Sequence, residues 1–225
     1  MHSKNIVLYK NLEEKYYHFF KEKGSIRVGT LNAYRAIEGT RQDDKEGLKS
    51  TVFNPDEEIH LNKDEIPANL FPSYITVSNV NINLSPGACL NLGVQIPNAY
   101  IFCVSEKPIP GKFGDSYYEI IDPSMFGKML FEKLKELDPG VNSAHLRKIS
   151  YGGIKDIEIR TENDLERFKN YNINKISLSD YFAKPSRFSD EFEYRYVFFT
   201  ATPNMREYLD LTCDLKIIHY CCNFP

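Results

Sequence analysis

Short apolar runs dominate the chain, and only a few stretches carry helical spacing. Ile6-Val7-Leu8-Tyr9 is a brief β-prone run that leads into a segment whose apolar positions, Leu12, Tyr16, Phe19 and Phe20, recur at the interval of an amphipathic helix. Asn11, with Glu14 three residues on, predicts a capping box at its start, and Gly24 predicts its end after Lys23. Ser25–Thr30 alternates and predicts a strand. The next stretch, to about Asn54, is densely polar and reads as a helical turn followed by a loop. Between Thr40 and Glu65 acids outnumber bases, the mark of a solvated excursion.

Further β-prone runs follow at Tyr74–Val80, Asn81–Leu84, Tyr100–Ser105 and Ser116–Ile121, with Pro-Gly and Pro-Asn pairs between them. Asp122-Pro123 is a cap residue followed by proline, a strong helix start. Phe126, Leu130, Leu134 and Leu137 line one face of that helix, joined by Met125 and Met129 as expected core, and Asp138-Pro139-Gly140 stops it. Leu146–Tyr151 predicts a strand, and Thr161 with Asp164 predicts the cap of a short helix carrying Leu165 and Phe168. Phe192–Thr200 and Leu215–Cys222 are the last predicted strands. Many strands with few, irregularly placed helices argue against a βαβ repeat. The expectation is one α+β domain over residues 1–225, with mixed or antiparallel strands and about three helices.

Composition narrows the function classes. The 225 residues are 42% hydrophobic, enough for a core, so disorder is excluded as the dominant state. The formal charge of −3 supplies no global field for nucleic acid or an anionic membrane, and nucleic acid is not an expected partner. No run approaches the roughly 18 apolar residues of a membrane span. The N-terminus has no signal-like apolar region, so the expected location is cytoplasmic. Five irregularly spaced cysteines do not suggest a secreted disulfide framework. Cys213, His219, Cys221 and Cys222 gather soft ligands, but not at a usual zinc spacing, and no metal is assigned. The P-loop, G-x-S-x-G, H-E-x-x-H and G-x-G-x-x-G motifs are not in the sequence.

Two polar constellations stand out. In the first, Arg27, Arg35 and Arg41 alternate with Glu38, Asp43, Asp44 and Glu46. It reads as a surface ion-pair network, as a phosphate or nucleotide site gripped by guanidinium forks, or as a Mg²⁺ site on the three acids at 43, 44 and 46. In the second, Ser-Asp-Glu-Phe-Glu-Tyr-Arg-Tyr from Ser189, strand alternation puts Glu191, Glu193 and Arg195 on one face, in line with Val197 and Phe199. A carboxylate there is paired, sits at a cleft, or both. It serves either as an edge ion pair or as a group that stabilises a cationic ribose carbon or binds a sugar hydroxyl.

Leu8–Lys10, the G-x-x-R-x-G, Y-R-x-x-E and R-x-D-x-x-E-G motifs within Gly24–Gly47, Phe102–Glu106, Asp122–Phe126 and E-F-E-Y-R together resemble uncharacterised bacterial and mobile-element proteins. The order Arg27, Ser105, Glu191-Phe192-Glu193 is similar to that of the ADP-ribosyltransferase fold, which places an early Arg, a central Ser and a late E-x-E. That second resemblance implies NAD as cofactor. Glu193 would stabilise the ribosyl cation as nicotinamide leaves, and Glu191 would activate the acceptor. Arg27 would hold a phosphate, and Ser105 would support the nicotinamide end. Arg35, Glu38, Arg41 and Arg195 join the expected nucleotide-binding set. The expectation is therefore a nucleotide-handling protein of a bacterial or phage conflict system. The alternatives are a non-catalytic binder of a nucleotide signal or a protein partner, and, behind both, a metal-dependent nuclease.

Overall fold

The computed structural model describes residues 6–36, 48–61, 70, 72, 82–112, 114, 116–152, 156–168, 170–214 and 218–221. In chain order the strands are β1 (Leu8–Leu12), β2 (Ser25–Thr30), β3 (Leu48–Phe53), β4 (Ile59–Leu61), β5 (Ile82–Leu84), β6 (Leu90–Gln95), β7 (Tyr100–Ser105), β8 (Ser116–Ile120), β9 (Val141–Lys148), β10 (Ser150–Tyr151), β11 (Asp156–Ile159), β12 (Ala183–Lys184), β13 (Glu193–Thr200), β14 (Tyr208–Thr212) and β15 (Ile218–Cys221). The α-helices are α1 (Glu14–Lys23), α2 (Leu31–Ala36), α3 (Pro123–Leu137) and α4 (Glu162–Phe168). The class is α+β, as the pattern predicts. The chain gathers into two compact units: Met1–Glu46, Asn98–Tyr151 and Lys184–Pro225 form one, and Gly47–Pro97 with Gly152–Ala183 form the other.

The first unit is built on an eight-stranded sheet in the order β14-β2-β7-β1-β8-β15, with β13 and β9 joined through β7. Strand β7 is its hinge. One edge pairs with β13 along its whole length, from Glu193 opposite Ser105 to Phe198 opposite Tyr100. The other edge meets two strands in turn: β2 at Tyr100 and Ile101, and β1 at Ser105. Both run antiparallel to β7, so continued pairing would make them compete for the same residues. They peel apart instead, β1 toward β8 and β2 toward β14. Helix α1 links the two, so the parting strands and their connecting helix enclose a fork.

The apolar spacing on α1 predicts a buried stripe of Leu12, Tyr16, Phe19 and Phe20, and the structure corrects it. Tyr17 and Phe20 are buried, while Tyr16 and Phe19 are 45% and 55% exposed. The doublets Tyr16-Tyr17 and Phe19-Phe20 allow either flank to face inward. Phe20 decides the matter by stacking on Tyr118 at 4.0 Å between ring centroids. The predicted capping box is also replaced. Asn11 lies in β1, where its side chain donates to the Ser105 hydroxyl at 3.3 Å and accepts from the Ile109 amide at 3.1 Å. The residue before the helix is Glu13, without a side-chain cap, and Gly24 ends the helix in the left-handed conformation.

On α3 the predicted start holds, since Asp122 accepts from the Met125 amide at 2.9 Å. Phe126, Leu130 and Leu134 are buried as predicted, but Met125 and Leu137 stand at the solvent-facing ends of the stripe, each more than half exposed. Strand β9 begins five residues earlier than the pattern suggests, and β14 had no predicted counterpart.

The second unit carries a separate core of Phe53, Ile59, Leu70, Leu84, Leu92, Ile157 and Ile159. Here β3 lies between β6, antiparallel, and β11, parallel. Strand β3 falls within the stretch read as loop, because Leu48-Lys49-Ser50-Thr51 hides a strand behind polar residues. Lys49 and Thr51 are in fact buried, and Lys49 Nζ donates to the carbonyls of Asn172 and Lys175. Thr161 and Asp164 form the predicted reciprocal cap of α4. The predicted strand Tyr74–Val80 lies outside the described residues. Among the described residues, no helix is long and apolar enough to cross a membrane.

Candidate functional site

The fork of the first unit holds a cavity of about 570 Å³, within the range of roughly 300–1,000 Å³ typical of small-molecule sites. Strands β1, β2 and β7 supply its walls, α1 its roof, and the segment from Lys184 to Arg195 its polar end. Glu193 and Arg195 are 4% and 1% exposed. They stand opposite Ser105 and Cys103 on β7, so all four side chains share one face. Arg195 donates from Nε and Nη2 to Oε1 of Glu193, both at 2.9 Å. Lys184 Nζ lies 2.7 Å from Oε2 of Glu193 and 2.9 Å from Oε2 of Glu191. Lys112 Nζ approaches the other oxygen of Glu191 at 3.3 Å.

Alternation along a strand predicts that Glu191 and Glu193 share a face. They do converge, by a different route. Glu191 closes a 3₁₀ turn, Ser186–Glu191, and Phe192 follows with φ 46°, the one positive φ outside glycine among the described residues. This left-handed residue turns the chain into β13 and brings both carboxylates to Lys184. The Glu106 amide donates to the Phe192 carbonyl at 2.9 Å, and Lys107 Nζ sits over its ring at 3.8 Å.

Electrostatics follow from this geometry. Burial opposes ionisation of Glu193, but Arg195 and Lys184 outweigh it and hold its carboxyl at about 2. The Cys103 thiol also hydrogen-bonds to it. Burial, with the charge of Glu193, pushes that thiol up to about 12, so Cys103 is a neutral donor rather than a nucleophile. Burial raises the Tyr34 hydroxyl well above its ordinary value, with the charges of Glu193 and Arg195 also acting on it. The Tyr151 hydroxyl accepts from the Glu193 amide at 2.8 Å and is itself pushed up to about 12, chiefly by burial.

The exposed part of the cavity lining carries aromatic rings: Tyr16, Phe19 and Tyr208 all line the cavity, and each is substantially exposed. Arg27 lies beside Tyr208, its guanidinium carbon 5.7 Å from the ring centroid. Gly29 makes this possible, because a Cβ there would stand 2.8 Å from the Tyr34 ring and 3.3 Å from that of Tyr208. Arg27 is bound to Asp210 through two parallel contacts, Nε to Oδ1 at 2.8 Å and Nη2 to Oδ2 at 3.0 Å. Among the described residues, Lys10, Arg27, Lys184 and Arg195 balance Glu13, Glu191, Glu193 and Asp210 around the cavity.

Of the residues expected from sequence, Arg27, Ser105, Glu191, Glu193 and Arg195 line this one cavity. The Ser105 hydroxyl is engaged with the chain itself, donating to the Lys107 carbonyl at 2.7 Å, with the Tyr9 carbonyl at 3.3 Å. Arg35 lies on α2 and is not part of the lining. Glu38, Arg41, Asp43, Asp44 and Glu46 lie outside the described residues. No group of three or more His, Cys, Asp or Glu side chains that could hold a metal occurs among the described ones. The sequence reading missed Lys184, Lys10, Tyr34 and Cys103 as site residues. A signal for Lys184 was present: it is a lone charge after Tyr181-Phe182-Ala183, and a charge in an apolar run is usually paired. Lys10 completes the fork by donating to the Cys103 carbonyl at 2.8 Å, where β1 leaves β7. Compared with family models, curated proteins and solved structures, the chain matches none.

Proposed function

We propose that this chain handles a nucleotide in the forked cavity, and that the sharpest form of this activity is ADP-ribosyl transfer from NAD. The observation that carries the reading is a single cavity whose lining combines a buried, ionised carboxylate with exposed aromatic rings. A carboxylate held charged away from water stabilises positive charge developing on a sugar carbon. In the proposed step the bond between ribose C1′ and the nicotinamide nitrogen breaks, and its electron pair leaves with nicotinamide. Glu193 stabilises the resulting oxocarbenium ion. The acceptor attacks C1′, and its proton passes to Glu191. Arg195 and Lys184 fix Glu193, Arg27 engages a phosphate, and Tyr16, Phe19 and Tyr208 offer faces on which a base can stack.

A second reading is a non-catalytic nucleotide sensor. It is favoured by one observation: both oxygens of Glu193 are already in ion pairs, which suits a carboxylate that shapes the wall rather than reacts. Nicotinamide release from NAD separates the two. The transfer reading expects release by the wild type and its loss by at least about 100-fold in Glu193→Gln, the scale of one electrostatic group at a reacting centre. Binding of ADP-ribose without any release favours the sensor. Failure to bind either NAD or ADP-ribose removes both readings and leaves a protein partner.

A further inference from the structure

We propose that Arg27 and Asp210 form an exchangeable phosphate clamp at the mouth of the cavity. In the resting protein Asp210 occupies the guanidinium fork, and a phosphate or diphosphate ester of the incoming ligand takes its place. This inference rests on the nucleotide reading for what delivers the phosphate, and it adds the resting occupant and the direction in which Asp210 acts.

Four observations support it. Arg27 and Asp210 stand directly opposite one another in the β2–β14 pair, so the backbone holds the fork and the carboxylate in register. Their contact is bidentate, the geometry a phosphate also satisfies at a guanidinium. Both side chains are about half exposed, at 55% and 54%, so water screens their attraction and can solvate either charge when they part. The Tyr208 ring lies beside the fork, its centroid 5.7 Å from the Arg27 guanidinium carbon, so an aromatic face adjoins any anion bound there. By contrast, Arg195 is buried and Lys184 has a side chain only 11% exposed, and both are held by glutamates, so changing their partner would strand a largely desolvated charge. Arg27 is therefore the cavity cation best placed to exchange partners. Because Asp210 competes for it, the clamp favours a doubly charged phosphate over a singly charged carboxylate.

The test is calorimetric titration at fixed ionic strength with two probes, inorganic pyrophosphate and ADP-ribose. The proteins are the wild type, Asp210→Asn, Arg27→Gln and the double variant. The clamp expects Asp210→Asn to tighten both probes about two- to fivefold, the scale of an exposed ion pair released. It expects Arg27→Gln to weaken both by at least about fivefold, and the gain from Asp210→Asn to vanish when Arg27 is gone. If the gain persists in the Arg27→Gln background, Asp210 acts only as a nearby negative charge and the clamp is overturned. Unchanged or weaker binding by Asp210→Asn overturns it as well, as does failure of pyrophosphate to bind any of the four proteins. If pyrophosphate shows the expected pattern but ADP-ribose does not bind, the clamp stands and the nucleotide reading falls. If ADP-ribose binds all four proteins within twofold, the clamp falls and the nucleotide reading stands.

Discussion

At the scale of single residues, a cluster of paired charges shapes the polar wall of the cavity. Glu193 and Arg195 are buried together, with the Lys184 side chain only 11% exposed against them, and such a cluster is held by mutual pairing rather than by burial. Arg195→Met should therefore cost about 3–5 kcal/mol in urea denaturation, because it takes both guanidinium contacts from the buried Oε1 of Glu193 and leaves only Lys184 on Oε2, while Glu193→Leu with Arg195→Met should recover most of that loss. The pH dependence follows from the same pairing. The Glu193 carboxyl is lowered from 4.5 to about 2. Between those values the unfolded chain binds a proton that the folded chain does not, so stability rises with pH. The contribution is complete above the unfolded value and is lost as pH falls toward about 2. Denaturation between pH 2.5 and 7 should show this acid limb in the wild type and a flatter one in Glu193→Gln. Much of the cluster was legible in the sequence: two acids and an arginine in line with Val197 and Phe199 announce paired charge. The apolar run before Lys184 marks it as a paired charge, but not with what, because its partners are seven and nine residues away across a 3₁₀ turn that no periodicity encodes.

At the scale of elements, strong local signals survived and ambiguous ones yielded to packing. Asp122-Pro123 sets the start of α3 as its sequence dictates, and Asp122→Ala should cost about 1 kcal/mol of stability in thermal or urea unfolding. Ser25–Thr30 and Tyr100–Ser105 form strands at their predicted bounds, because alternation and turn residues agree there. Strand β3 escaped detection because its buried positions include lysine, serine and threonine, whose partners lie far off in sequence. On α1, doubled aromatics made two faces equally apolar, and only the Tyr118 ring chose between them. The rejected face is the informative one. Tyr16 and Phe19 remain exposed at a cavity mouth, and exposed aromatics grouped in this way mark a binding surface more often than a packing accident. Replacing both with serine should leave stability within about 0.5 kcal/mol, the usual range for surface positions.

At the scale of the molecule, one topological event makes the site. Two strands that run the same way compete for one edge of β7, and their parting opens a cavity within a sheet that is otherwise continuous. The order of Arg27, Ser105 and Glu193 along the sequence foreshadowed residues of three different strands meeting there. What sequence could not supply was the fork itself, since it depends on registers set between distant segments. In the proposed mode the fork binds a nucleotide with its ribose end at Glu193 and its base at the exposed aromatic rings. Calorimetric titration with ADP-ribose tests it most directly, using the wild type, Glu193→Gln and the Tyr16→Ser/Phe19→Ser pair. Saturable binding by the wild type is expected, weakened at least about tenfold in each variant, a difference of about 1.4 kcal/mol. Absence of binding by the wild type, or binding that neither variant weakens, would contradict it.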